Sequence, residues 1–156
     1  MSTTGTVSDR LQALGYVLPP VPRPQGSYVP AVRSGHLVYV AGQLPMREGR
    51  LLFKGKVGRD LDVEQAQEAA RICFLNALAA LGYSGAGPDQ VTRVLRLGGF
   101  VQCVDGFTEQ PKVVNGASDL CQAIFGEAGR HARAAVGVNA LPLDAAVEIE
   151  ALFEVA

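Results

Sequence analysis

"GRHARAAVGVNALPLDAAVEIEALFEVA" (Gly129–Ala156) closes the chain, and its reading decides the fold. From Val147 the residues alternate. Val147, Ile149, Ala151, Phe153 and Val155 form one set, and Glu148, Glu150, Leu152 and Glu154 form the other. A period of two is the mark of a strand with one face turned to a core. The segment before it, "RAAVGVNALP" (Arg133–Pro142), is rich in small and β-branched residues and reads as a further strand. Two residues break the apolar character: Arg133 at the mouth of the first strand and Glu148 near the start of the second. Charged side chains are rarely buried unless paired.

Working outward, "DVEQAQEAARICFLNALAALGY" (Asp62–Tyr83) is the clearest helix. Asp62 suits the N-cap, Glu64 and Gln65 the first turn, and Gly82 the stop. Its apolar face runs Ala66, Ala69, Ala70, Cys73, Ala77 and Leu81, widened by Leu75 and Leu78, and its small residues suit close packing on a sheet. Val91–Val104 is a strand, with Gly98-Gly99 marking a bulge or a close backbone approach. A second helix begins near Pro111, an N1-type position, and stops near Gly126. Upstream, two apolar runs flank Ser34-Gly35 and read as a hairpin. Ser8–Tyr16 reads as a short helix capped by Ser8 and ended by Gly15. Five of the nine prolines fall in Pro19–Pro30, which makes that stretch an extended arm. The expected architecture is α+β, a mixed sheet with two helices on one face. It forms one domain over residues 1–156, with 1–25 as an N-terminal helix and Pro-rich arm.

Composition narrows the function. A 156-residue chain with 48% hydrophobic residues has enough material for a real core. A net charge of −1, 6% aromatics and no Trp disfavour a nucleic-acid surface. No apolar run reaches membrane-spanning length, and "MSTTGTVSDR" lacks the n- and h-regions of a signal peptide, so a cytoplasmic protein is expected. Cys73, Cys103 and Cys121 form no CxxC pair and read as small core residues in a reducing compartment. His36 sits beside the hairpin turn, and His131 is taken as structural. The apolar set of the last strand, with Leu37, Tyr39 and Ala41 of the hairpin, exceeds what two helices cover, so burial between chains is expected.

Two readings of Arg133 stand on the residues alone. Either it is a surface charge or pairs with a carboxylate of the last strand, or its planar fork clamps a carboxylate or phosphate ligand. In the second reading Glu148 is the local base or holds a water.

The residues here resemble a family. Ala132-Arg133-Ala134-Ala135-Val136, then Leu141-Pro142, then Glu148-Ile149-Glu150, are similar to the C-terminal signature of the Rid family (reactive intermediate deaminases, YjgF-like, also labelled endoribonuclease L-PSP-like). Upstream, Gly26-Ser27-Tyr28, Ala41-Gly42-Gln43-Leu44-Pro45 and Val114-Asn115 extend the likeness from about Gln25 to the C-terminus. The longer arm, Leu11–Pro24, points to a branch of its own. The resemblance implies a chorismate-mutase-like α+β fold assembled as a homotrimer, sheets inside as a barrel, with sites between subunits. It implies hydrolysis of 2-imino acids, the tautomers of enamines such as 2-aminoacrylate, to 2-keto acids and ammonia, with no cofactor or metal. It gives Arg133 the substrate carboxylate and Glu148 the water. Tyr28 becomes an aromatic wall across the interface, Asn115 a helix residue lining the cleft, and Gly42 a backbone laid against the ligand. Two positions depart from the family pattern. Ala135 stands where many members have Cys, and Pro30 where Gln is usual, and both border the pocket. Rival readings are a carboxylate-binding trimer without turnover, an endoribonuclease, and a scaffold with no pocket chemistry.

Overall fold

The computed structural model describes residues 4–156. Its centre is β7 (Val147–Val155), the strand whose alternation opened the reading. Its odd-numbered residues are buried and its even-numbered ones half-buried, as the pattern requires. Around it a five-stranded sheet runs in the order β1 (Ala31–Ser34), β2 (Leu37–Gln43), β7, β5 (Val91–Gln102), β6 (Ala132–Val138). All neighbours are antiparallel except β5 and β6, so the sheet is mixed. A separate hairpin of β3 (Met46–Arg47) and β4 (Arg50–Leu51) follows β2.

α2 (Val63–Leu81) and α3 (Gln110–Phe125) cover one face of the sheet. Asp62 caps α2, and Gln65 completes a reciprocal capping box. Each residue read as its apolar face is buried. The two helices approach closely at Gly116, where a Cβ would overlap the Gln67 carbonyl oxygen. A third helix, α1 (Val7–Ala13), packs on α3 and puts Val7 and Leu11 into the same core.

Two local expectations change, and an open alternative is decided. The N-cap of α1 is Thr6, in a capping box with Asp9, rather than Ser8. Ser8 binds the Asp89 carboxylate through its amide (2.9 Å) and hydroxyl (2.8 Å), which ties α1 to the start of β5. The hairpin turn is Gly35-His36 rather than Ser34-Gly35: Ser34 pairs with Leu37, and Gly35 supplies φ +60°. At Gly98-Gly99 the alternative of close approach holds. The register shifts of β5 lie earlier, between Val91 and Arg93 and between Val94 and Arg96. A Cβ on Gly99 would overlap the Val114 side chain, so the missing side chain lets α3 sit down on β5.

Candidate active site

Arg133 stands on β6, the edge strand beside β5. Its register partner is Leu97, which in turn pairs with Ala151. Both partners are buried, so Arg133 shares their helix-covered face. The guanidinium reaches the first turns of α3. Nη1 donates to Asn115 Oδ1 (2.8 Å) and Ser118 Oγ (3.1 Å), and Nη2 donates to the Pro111 carbonyl (3.1 Å). Asn115 and Ser118 are three apart in the helix and so lie on one face, aimed at the same fork. All three acceptors are neutral. Among the described residues Arg133 has no ion-pair partner. Of its five N–H donors, Nε–H and one on Nη2 remain, a count suited to one bidentate carboxylate.

The network continues inward. Ser118 is 5% exposed, and its Oγ lies 2.8 Å from His131 Nε2. His131 Nδ1 lies 2.6 Å from the Gly129 carbonyl, which can only accept. Nδ1 therefore carries a proton, and in neutral imidazole Nε2 accepts from the Ser118 hydroxyl. Ser118 then accepts from Arg133 and donates to His131, with both hydroxyl roles filled. The residue read as structural is thus linked to Arg133 through Ser118. Ser118 went unread, although its spacing from Asn115 was a usable signal. Ala135 sits two residues along β6 on the same face and packs partly against the core.

Glu148 lies elsewhere. It pairs with Phe100, and Phe100 pairs with Val136. The register from Leu97 to Phe100 is unbroken, so Glu148 faces the side of the sheet opposite Arg133. It is half-buried, and that burial, helped by the charge of Glu150, holds its carboxyl above the usual range. The β2–β7 register slips between Val40 and Gln43, and the slip brings Gly42 against Glu148. A Cβ on Gly42 would stand 2.7 Å from Glu148 Oε1. Gly42 also borders a cleft of about 850 Å³ with Tyr28, Pro30 and Leu143. Tyr28 is 60% exposed.

Within one chain, then, the sequence-derived site separates into two halves. Arg133, Asn115 and Ala135 belong to the helix side, Glu148 to the far side against Gly42, and Tyr28 to the cleft that Gly42 borders with Asn76 and Ala79 of α2. The far face carries exposed apolar side chains, Val32 paired with Tyr39, and Val136 paired with the half-buried Phe100.

The Leu-Pro turn holds another residue that sequence reading missed. Leu143 and Asp144 both adopt left-handed backbone (φ 59° and 63°), a conformation disfavoured for leucine. Buried Gln102 holds the turn. Its Nε2 donates to Asp144 Oδ1 (2.8 Å) and the Gly55 carbonyl (2.9 Å), and its Oε1 accepts from Leu141 N (2.7 Å). The arrangement fixes Leu143 at the cleft wall.

The three cysteines are free and buried. Burial raises the Cys73 thiol well above its ordinary range and pushes Cys121 up to about 12, so neither is poised as a nucleophile. Among the described residues no three of His, Cys, Asp and Glu gather as a metal set, and no helix is long and apolar enough to cross a membrane.

Comparison with known proteins places this geometry. Residues 8–155 match the family model described as "YjgF/chorismate_mutase-like, putative endoribonuclease". Protein TCP17 of Trypanosoma cruzi is 45% identical over 152 residues, covering 97% of this chain and 95% of its own. A 2-iminobutanoate/2-iminopropanoate deaminase of Dermatophagoides farinae is 32% identical over 135 residues, 86% of this chain and 90% of its own. The crystal structure of Atu1372 from Agrobacterium tumefaciens, described as of unknown function, superposes with a TM-score of 0.89 at 47% identity, covering 96% of this chain and 92% of that one. A family model spanning nearly the whole described chain, on a fold whose sheet carries the arginine and glutamate strands in the expected order, leaves one conclusion: the chain belongs to the YjgF/Rid family.

Proposed function

We propose that the protein hydrolyses 2-imino acids to 2-keto acids and ammonia at a site closed by two copies of the chain. The observation that carries the reading is Arg133: a part-buried guanidinium, oriented by three neutral acceptors and, among the described residues, without an ion-pair partner. An uncompensated charge so placed asks for an anionic ligand. Nε–H and the remaining Nη2–H take the substrate carboxylate, which sets the imine carbon in place.

Water adds to that carbon. Glu148, held above the usual carboxyl range, is closer to neutrality than an ordinary glutamate and takes the water's proton as the C–O bond forms. That proton passes to nitrogen as the C=N π bond opens, giving a carbinolamine; its hydroxyl proton then passes to nitrogen as the C–N bond breaks, the C=O forms and ammonia leaves. Arg133 and Glu148 face opposite sides of one sheet, so the reaction takes Arg133 from one copy and Glu148 from its neighbour. Three copies around an axis, with the exposed apolar sheet face inside, supply that arrangement. The same clamp would also serve a carboxylate-binding protein without turnover. The endoribonuclease reading finds little support, since His36 is hydrogen-bonded at the Val155 carbonyl in the hairpin turn and His131 is engaged with Ser118 and Gly129.

The test is release of keto acid and ammonia from imines generated in place by an amino-acid oxidase. Wild type should exceed the spontaneous rate, Glu148→Gln should lose most of the gain, and Arg133→Ala should lose it all. No acceleration by wild type with any imine, alongside protection against melting by keto acids, would establish the binding reading instead.

A further inference from the structure

The cleft beside Gly42 is larger than a three-carbon imino acid needs. At about 850 Å³ it falls in the range of sites that enclose sizeable ligands. Its lining holds two guanidiniums, Arg23 from the Pro-rich arm and Arg47 from the β3–β4 hairpin, against a single carboxylate, Glu48. Among the described residues neither guanidinium has a hydrogen-bond or ion-pair partner.

The hairpin that presents Arg47 is built against its own comfort. Arg47 stands directly opposite Arg50, and like charges facing across a two-strand ladder destabilise it. The turn between them puts Glu48 at φ 51° and Gly49 at φ 76°, a two-residue turn with both centres left-handed. A glutamate in that conformation is strained. A short hairpin that gathers cations in this way is relieved by an anion, and its Arg47 end opens on the cleft that Tyr28 and Gly42 also border.

We propose that this cleft is a recognition subsite for a distal carboxylate, so that the preferred substrates are 2-imino acids with an acidic side chain. The inference rests on the clamp reading: Arg133 holds the carboxylate next to the imine, and Arg23 and Arg47 hold the second one. An amide in place of the distal carboxylate keeps the shape and loses the charge that the guanidiniums pair with.

The experiment is calorimetric binding of 2-oxoglutarate and of its distal monoamide to wild type, to the Arg23→Ala/Arg47→Ala double variant and to Arg133→Ala. Both substituted cleft arginines are exposed, so no buried group is stranded by their loss. Wild type should bind the diacid about tenfold more tightly than the monoamide. In the double variant the two should bind alike. Equal affinities in wild type, or a preference that survives in the double variant, would overturn the subsite. If Arg133→Ala leaves both affinities as they are, the clamp reading falls, while the ratio between the two ligands still decides the subsite.

Discussion

At the scale of single residues, the account turns on how Arg133 and Glu148 are held. Arg133 bonds only to neutral acceptors at a part-exposed site, so Arg133→Ala strands no buried charge. Its cost to stability should be about 1 kcal/mol, seen as a small fall in Tm, while keto-acid affinity drops by about a hundredfold as charge-assisted bonds are lost. A fall in Tm matching about 3–5 kcal/mol would instead mark a structural ion pair. Glu148 gives a prediction in pH. Its folded-state carboxyl is raised, by burial and by Glu150, so the folded protein binds that proton more tightly than the unfolded chain does. The stability from this group is present below the ordinary carboxyl range and is lost as pH rises through the folded value. Glu148→Gln should therefore melt higher than wild type at about pH 7 and level with it below about pH 4. A constant offset across that window would show that the shift is absent. That two charges interrupt the last two apolar strands was legible in the sequence. The Ser118–His131 support was not, because a hydrogen bond between a helix residue and the residue before a strand has no local pattern.

Elements show where reading succeeded and where it stopped. α2 declared its own ends through Asp62, Gln65 and Gly82, since caps and stops are local chemistry. The turn slipped by one residue because Ser34 and His36 offered equal local claims, and cross-strand register decided between them. The separation of Arg133 from Glu148 onto opposite faces depends on counting register through β5, which no single strand displays. Two glycines give paired predictions. Gly116→Ala forces a Cβ into the Gln67 backbone between α2 and α3, and denaturant unfolding should show a loss of about 1–3 kcal/mol. Gly42→Ala meets no backbone among its nearest atoms, only the flexible Glu148 side chain from Cγ outward, which can swing aside. Its midpoint should stay near wild type while imine hydrolysis falls toward that of Glu148→Gln. Equal stability losses in the two variants would contradict this picture of the contacts.

The whole molecule is where the proposed function is exposed to test. The apolar set of the last strand, expected to exceed the reach of two helices, is buried within one chain, while the far side of the sheet leaves Tyr39 53%, Val32 54% and Val136 45% exposed. Residue patterns carry no symmetry operator, so the expectation of three copies came from the family resemblance alone. The central claim is that each site joins Arg133 of one copy to Glu148 of the next. The most direct measurement mixes Arg133→Ala and Glu148→Gln chains in equal amounts, unfolds and refolds them together, and assays imine hydrolysis. In a ring of head-to-tail interfaces, about a quarter of the sites then pair an intact arginine with an intact glutamate, and about a quarter of wild-type activity should return. If the mixture stays as inactive as either variant alone, while wild type taken through the same unfolding and refolding is active, the shared site is wrong.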